Sequence, residues 1–335
     1  MTIEHPFAKY LSILGQGRHG TRSLSREEAK SAMQMVLDEK VEDLQLGAFL
    51  TLLRVKEETS EELAGFLEAL HDSLNLPSTL PVADLNWPTY AGKKRQLPWY
   101  LLAALLLAEN GIKVFMHGAV GDDEGRIYAE QILRQIGIKR AANMEEAAKD
   151  LQSKNFAYLD LEAISPRLYE LLKLRPVFGL RLPTHTLARL INPVNAPYSL
   201  QGIFHRGYQN LHQEAALMLG QPHLAVIKGE GGEAERIPNK PCLIDMVHEG
   251  KIVDEEWPEL FKKMQPKQEA LDISYLIRVW QGECEDHYGS YAVIGTIAIV
   301  LYLMGKVKDR KQAEEEAERL WRNRKVSSKG EAITR

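Results

Sequence analysis

Several things are scarce in this sequence. Its 335 residues include two cysteines, Cys242 and Cys284, which lie far apart and outside any Cys-x-x-Cys pair or Cys/His cluster. No disulfide framework and no zinc motif follow from them, and a reducing cytoplasm is the expected compartment. A dominant charge is missing too. With 42 Lys+Arg against 46 Asp+Glu the formal net charge is -4, so a nucleic-acid site would have to be a local basic patch. Residues 1–10 mix Glu4, His5, Pro6 and Lys9 and lack the apolar core of a signal peptide. Residues 288–305 carry no charge and have a borderline length for a membrane span. Gly289, Ser290, Gly295 and Thr296 interrupt that run, and no aromatic belt or basic flank marks both ends, so a buried core helix is expected and no membrane partner. There are no repeats and no low-complexity segment.

What is present is an ordinary globular mixture, 44% hydrophobic and 26% charged, long enough for one large or two ordinary domains. The first 75 residues read as helices. Ser25-Arg-Glu-Glu28 is a capping box, followed by Ala32, Met33, Val36 and Leu37 at helical spacing. Residues 44–53 form a second helix and residues 60–70 a third, with Ser60 as the expected cap. From Pro77 the texture changes: Pro77, Pro81 and Pro88 break the chain. Apolar helix 97–108 then precedes strand 113–116, helix 124–136 and strand 156–159. Helix 209–219 is followed by strands 223–228 and 243–247, the uncharged helix 288–304 and a charged helix around 309–321. This alternation predicts an α/β fold with a small all-α domain. The expected division is a helical domain at 1–76, completed by part of 165–195, an α/β domain with a central sheet at 77–326, and a frayed tail at 327–335.

Four places carry candidate chemistry. In Tyr90-Ala-Gly-Lys-Lys-Arg-Gln-Leu-Pro98 the adjacent cations Lys93, Lys94 and Arg95 precede an apolar helix, whose free N–H groups make a ready anion site. The alternative is a solvated basic loop. His117-Gly118 follows a strand, at the end of an α/β sheet where ligands sit, with Arg126 beyond it; a structural histidine is the competing reading. Between Arg175 and Arg189 lie Arg181 and His185, with Lys173 upstream and Glu170 the single acid between Arg167 and Arg189, so the segment reads as an anion-facing surface. Lys228-Gly-Glu-Gly-Gly-Glu-Ala-Glu235 is a glycine-rich turn whose carboxylates fit no calcium loop and read best as a solvated acidic turn.

Taken in order, these segments resemble the glycosyltransferase family 3 proteins, whose best-known member is anthranilate phosphoribosyltransferase. The resemblance spans residues 11–317. It rests on the helical opening Asp43-Leu-Gln-Leu-Gly-Ala-Phe-Leu-Thr-Leu-Leu-Arg-Val-Lys-Glu-Glu-Thr59 with Glu61-Glu-Leu-Ala-Gly65, and on Val114-Phe-Met-His-Gly118. Arg175, Gly179, Arg181, Asn192-Pro193, Gln201-Gly202 and Leu224-Ala-Val-Ile-Lys-Gly229 follow at the family's spacing. It implies the two-domain nucleoside phosphorylase/phosphoribosyltransferase architecture and a homodimer joined through the helical domains, with Phe49, Leu52, Leu53 and Phe66 as candidates for packing. In the enzymes, phosphoribosyl pyrophosphate and magnesium bind between the domains.

The departures from the enzymes weigh more than the matches. Where the enzymes hold pyrophosphate on a Gly-Thr-Gly-Gly-Asp loop, this chain has Pro88-Thr-Tyr-Ala-Gly-Lys-Lys-Arg-Gln96. Met116 and Ala119 replace the lysine and asparagine of a Lys-His-Gly-Asn element. The magnesium-binding Asp-Glu pair aligns with Ala234-Glu235, leaving Glu235 as a weak metal candidate. Gly92-Lys-Lys-Arg-Gln96 and Thr184-His-Thr-Leu-Ala-Arg189 look like the nucleic-acid-binding, YbiB-like branch of the family. The leading expectation is therefore a sequence-nonspecific DNA- or RNA-binding homodimer with no cofactor and no catalysis of the anthranilate reaction. Lys93, Lys94, Arg95, Arg126, Arg175, Arg181 and Arg189 would face phosphates, with His117 and His185 shaping the crevice. The alternative is an active phosphoribosyltransferase using phosphoribosyl pyrophosphate, with magnesium on Glu235, alone or with Glu233. A third reading is an interaction scaffold that uses neither site.

Overall fold

The computed structural model describes residues 4–17, 19–74, 76–77, 79–121, 124–262 and 271–326; the tail expected at 327–335 lies outside the described residues. Four helices open the chain: α1 (Ala8–Gly15), α2 (Arg26–Leu37), α3 (Asp43–Lys56) and α4 (Ser60–Ser73). Ser25 caps α2 as expected: its Oγ accepts the Glu28 N–H at 3.2 Å while Glu28 accepts the Ser25 N–H at 2.9 Å. The cap of α4 is Thr59 instead of Ser60. Thr59-x-x-Glu62 is itself a capping box, with Glu62 reaching back to the Thr59 N–H at 2.9 Å.

A seven-stranded sheet follows, in the order β3-β2-β1-β4-β5-β6-β7. Its strands are β1 (Leu85–Thr89), β2 (Val114–Gly118), β3 (Phe156–Asp160), β4 (Tyr198–Ile203), β5 (His223–Lys228), β6 (Cys242–His248) and β7 (Lys251–Trp257). The first five are parallel and the last two antiparallel. Three strands, β1, β4 and β7, escape the sequence pattern. In β1, Pro88 is expected to break the chain, yet it sits inside a central strand. The backbone bonding explains this: the Asp84 carbonyl oxygen accepts the Tyr198 N–H of β4 and the Leu85 N–H donates to Lys113 beside β2, so by alternation Pro88 faces β4, and Asn86 is the last residue of β1 paired with β4. The strand β7, Lys-Ile-Val-Asp-Glu-Glu-Trp, is a charged edge strand, exposed along most of its length.

Around the sheet run α5 (Trp99–Glu109), α6 (Ala129–Gln135), α7 (Met144–Lys154), α8 (Leu161–Ile164), α9 (Pro166–Lys173), α10 (Arg175–Phe178), α11 (Thr184–Leu190), α12 (Gln209–Met218), α13 (Ile273–Trp280), α14 (His287–Leu303) and α15 (Arg310–Arg322). The helix expected at 124–136 begins only at Ala129. The uncharged run is α14, buried against α5 and α15. Among the described residues no helix is long and apolar enough to cross a membrane. Two large cores result. One face of the sheet packs on α5 and α14 through Trp87, Trp99, Leu105 and Ile297. The other joins Phe115 and Leu159 to Phe49, Leu53 and Phe66 of the helical opening and to Leu168, Leu171 and Leu187 of α9 and α11.

The contact between α2 and α4 depends on Gly65, where an added Cβ would lie 2.2 Å from the Arg26 carbonyl oxygen. A backbone atom cannot yield as a side chain does. Gly65→Ala should destabilise the fold by about 1–3 kcal/mol despite alanine's better helix propensity. Gly47→Ala on α3, whose Cβ would meet only Phe178 at 3.9 Å, should stabilise it by up to about 1 kcal/mol. Urea denaturation of both variants checks this; equal effects would contradict the packing described.

Candidate functional site

Loops leaving the C-terminal ends of β1, β4 and β5 meet at one edge of the sheet, where ligands bind in open α/β folds. There the chain makes an anion site and fills it with its own side chain. The backbone N–H groups of Ala91 and Gly92 both donate to Glu233 Oε1, at 2.7 and 2.6 Å. Lys93 turns inward. Its main chain pairs with Ile127 in both directions, at 2.9 and 2.8 Å, and its Nζ lies 2.6 Å from Glu235 Oε1 and 3.3 Å from Glu230 Oε2. The other oxygen of Glu235 accepts the Tyr100 N–H at 2.8 Å, in the first turn of α5. A helix start that accepts an anion is expected here, and the anion is Glu235. Lys93, Glu233 and Glu235 are at most 1% exposed. Gly231 permits this close approach: its φ is +75°, and a Cβ there would lie 2.5 Å from the Gly92 carbonyl oxygen.

Two expectations change accordingly. Lys93 does not reach solvent, so it cannot touch a nucleic-acid phosphate in this conformation. The turn carrying Glu233 and Glu235 is buried instead of solvated. Burial raises both carboxyls above the usual carboxylate range, and the Lys93 ammonium partly offsets this for Glu235. A divalent cation does not fit: an ammonium occupies the face of Glu235, and Ala234 offers no ligand. Among the described residues no cluster of three or more His, Cys, Asp or Glu could hold a metal ion.

His117 is fully buried, behind the crevice wall. Its Nε2–H donates to Asn86 Oδ1 at 3.1 Å, and its Nδ1 accepts from the Tyr90 hydroxyl at 2.6 Å. Burial pushes its pKa down to about 3, so it is neutral and positions Tyr90 rather than meeting a ligand. Arg126 holds the basic loop from outside, donating to the carbonyl oxygens of Ala91 and Gly92, both at 2.9 Å. Lys94 and Arg95 are exposed.

Beside this filled site lies an open crevice, made of two cavities of about 310 and 340 Å³ that share Arg181, His185 and Arg189. Its walls carry Arg54, Arg126, Lys173, Arg175, Arg181 and Arg189, against one carboxylate among the described lining residues, Glu58. Burial and the neighbouring Arg189, Arg181 and Arg175 push His185 down to about 3. Burial and Arg181 lower Arg189 to about 10, which leaves it charged at neutral pH. Arg189 donates to the His185 carbonyl oxygen at 2.9 Å. Sequence reasoning missed Arg54, which reaches the Tyr208 hydroxyl at 2.7 Å. It is a basic residue in the last turn of α3, a place where cations are common for reasons of helix stability alone. Glu58 and Phe204 carried no local signal.

A model of the glycosyl transferase family helical bundle domain matches residues 9–74. The chain is 25% identical over 316 residues to anthranilate phosphoribosyltransferase of Dictyoglomus turgidum, covering 91% of each protein. It is 32% identical over 190 residues to protein YbiB of Escherichia coli, covering 56% of this chain and 59% of that one. The crystal structure of anthranilate phosphoribosyltransferase from Thermus thermophilus superposes with a TM-score of 0.80 at 21% identity, covering 95% of this chain and 94% of that one, and so shares the fold. Along most of its length the chain is similar to the anthranilate phosphoribosyltransferase-like proteins of glycosyltransferase family 3. Within this family fold, the chain's internal ion pair is testable on its own.

Removing the ammonium with Lys93→Met leaves Glu235 buried without its cation and should cost about 3–5 kcal/mol at neutral pH. The deficit depends on pH with a definite sign. A carboxyl raised in the folded state stabilises that state below its unfolded pKa, and this is lost as pH rises through the folded value. Without Lys93 the folded value of Glu235 climbs further. The deficit against the parent should therefore be smallest near pH 4 and grow toward about pH 8. Urea denaturation across that range reads it, and a pH-independent deficit would contradict the pairing.

Proposed function

We propose that this protein is a sequence-nonspecific nucleic-acid-binding homodimer on the phosphoribosyltransferase scaffold, without the anthranilate reaction. The observation that carries the binding reading is the charge of the crevice: six cations face one described carboxylate in a concave wall. Phosphodiester backbones supply regularly spaced anions, and contacts to them give affinity without sequence information. Arg175, Arg181 and Arg189 remain the proposed contacts, Lys94 and Arg95 extend the positive surface outside the cavities, and Arg126 shapes the loop between them.

The reading of no catalysis is supported by Glu233. The amides of Ala91 and Gly92 are the groups from which a pyrophosphate loop would be built, and a carboxylate of the chain already occupies them. A phosphoribosyltransferase reading has the shared scaffold in its favour; a solved relative from Saccharomyces cerevisiae is described in complex with PRPP and Mg. Here the basic loop cannot hold pyrophosphate through Lys93 while that side chain faces Glu235. Purified protein should give no phosphoribosylanthranilate from anthranilate, phosphoribosyl pyrophosphate and magnesium; steady turnover would overturn this part.

For binding, single- and double-stranded DNA should both associate, more weakly as salt rises. The double variant Arg175→Ala/Arg181→Ala should bind less tightly and flatten the slope of log affinity against log salt by about 1.4–1.8. An unchanged slope across a salt series would sink the assignment of the crevice.

The dimer reading also has a changed surface. Phe49, Leu53 and Phe66 are core residues, and Leu52 packs over Gly15. The outward face of α3 is instead Leu44, Ala48, Thr51 and Val55, with Leu44 90% and Val55 78% exposed. Val177 of the adjacent α10 segment is 80% exposed. An apolar stripe at helical spacing left open to water favours a second copy. Light scattering should give twice the chain mass for the parent and the chain mass for Leu44→Glu/Val55→Glu; a parent that is monomeric at micromolar concentration would refute the dimer.

A further inference from the structure

Phe204 stands apart from the other exposed apolar side chains because of where it is. It follows Ile203, the last residue of β4, at the ligand-binding end of the sheet, and is 48% exposed. It lines the same cavity as Arg54, Arg181 and Arg189. A single exposed apolar side chain is ordinary on a protein surface. An open aromatic ring inside a cation-lined cavity is a different matter, because phosphate-tracking cations beside a stacking surface are the two parts of a single-strand binding groove.

The backbone that carries the ring is also held in place. The Gly229 N–H donates to the Ile203 carbonyl oxygen at 3.1 Å, and the Phe204 backbone lies against Gly232, where an added Cβ would come within 3.4 Å of the Phe204 nitrogen. The His205 ring meets the Phe204 ring edge-on, with centroids 4.8 Å apart and planes at 87°. Arg54 fixes the Tyr208 hydroxyl on the same wall. A platform on a fixed backbone loses little freedom when a base lands on it.

We propose that Phe204 is a base-stacking platform, and that the crevice accordingly prefers single-stranded nucleic acid over duplex. This rests on the nucleic-acid reading above and adds the chemical class of partner. Bases in a duplex already stack on one another and reach Phe204 only by unpairing, whereas an unpaired base has a free π-face. The phosphates would be shared by both partners, and the ring by single strands alone.

The experiment titrates a fluorescent oligothymidylate and a hairpin duplex of equal phosphate count against full-length parent, Phe204→Ala, Phe204→Trp and Arg175→Ala/Arg181→Ala. Phe204→Ala should weaken single-strand binding by between about fivefold and a hundredfold, change duplex binding less than about twofold, and leave the thermal midpoint unchanged. Phe204→Trp should keep single-strand affinity. If the arginine variant loses affinity for both partners while Phe204→Ala binds the single strand as the parent does, the stacking proposal falls and the nucleic-acid reading stands. Equal losses of single-strand and duplex affinity in Phe204→Ala also overturn stacking. If the parent binds neither partner, both readings fall.

Discussion

Everything at the ligand-binding edge of this sheet is arranged around a carboxylate that the chain supplies to itself. Glu233 sits on the Ala91 and Gly92 amides, and the Lys93–Glu235 pair lies directly beside it. Two amides, a lysine and two carboxylates buried together would be destabilising if any member lost its partner, because an unpaired buried charge is far more costly than an exposed one. The set therefore locks the β1–α5 loop to the turn after β5, with Gly231 allowing the backbones to touch and Arg126 closing the loop from the other side. Anion and cation are both internal, so the Ala91 and Gly92 amides and the Lys93 ammonium have partners without a ligand.

The crevice next to it has the opposite character. Its cations come from four separate stretches: Arg54 at the end of α3, Arg126 before α6, Lys173 and Arg175 where α9 meets α10, and Arg181 with Arg189 around α11. Burial lowers the pKa values of His185 and Arg189, and the neighbouring arginines lower them further. In the proposed reading, a polyanion is what these cations meet.

Much of the scaffold is legible in the sequence, and the site is legible only in part. The Ser25 capping box and the strands β2, β3, β5 and β6 are readable because their signals are local: a cap with its partner three residues on, or a short apolar run. The strand β1 is hidden by Pro88, whose tolerance depends on how far β4 pairs with it, and β7 by its charge. Thr59 outcompetes Ser60 because Glu62 lies three residues after Thr59 and not after Ser60. In the site, three adjacent cations look equivalent. They are not: Lys93 pairs inward with Glu235, a partner 142 residues away in sequence, while Lys94 and Arg95 face solvent. Only the adjacency of β1, β4 and β5 brings those two loops together. The Arg175–Arg189 segment is readable from composition because its excess of cations is contiguous, whereas Arg54 joins it only through the packing of α3.

Occupation of the phosphate-loop amides from within is tested most directly by a crystal structure grown in excess pyrophosphate and magnesium. Glu233 Oε1 should still lie within hydrogen-bond distance of the Ala91 and Gly92 amides, with Lys93 still on Glu235 and no pyrophosphate at that loop. Pyrophosphate bound on those two amides, with Glu233 displaced and a metal ion on Glu235, would refute the internal occupation.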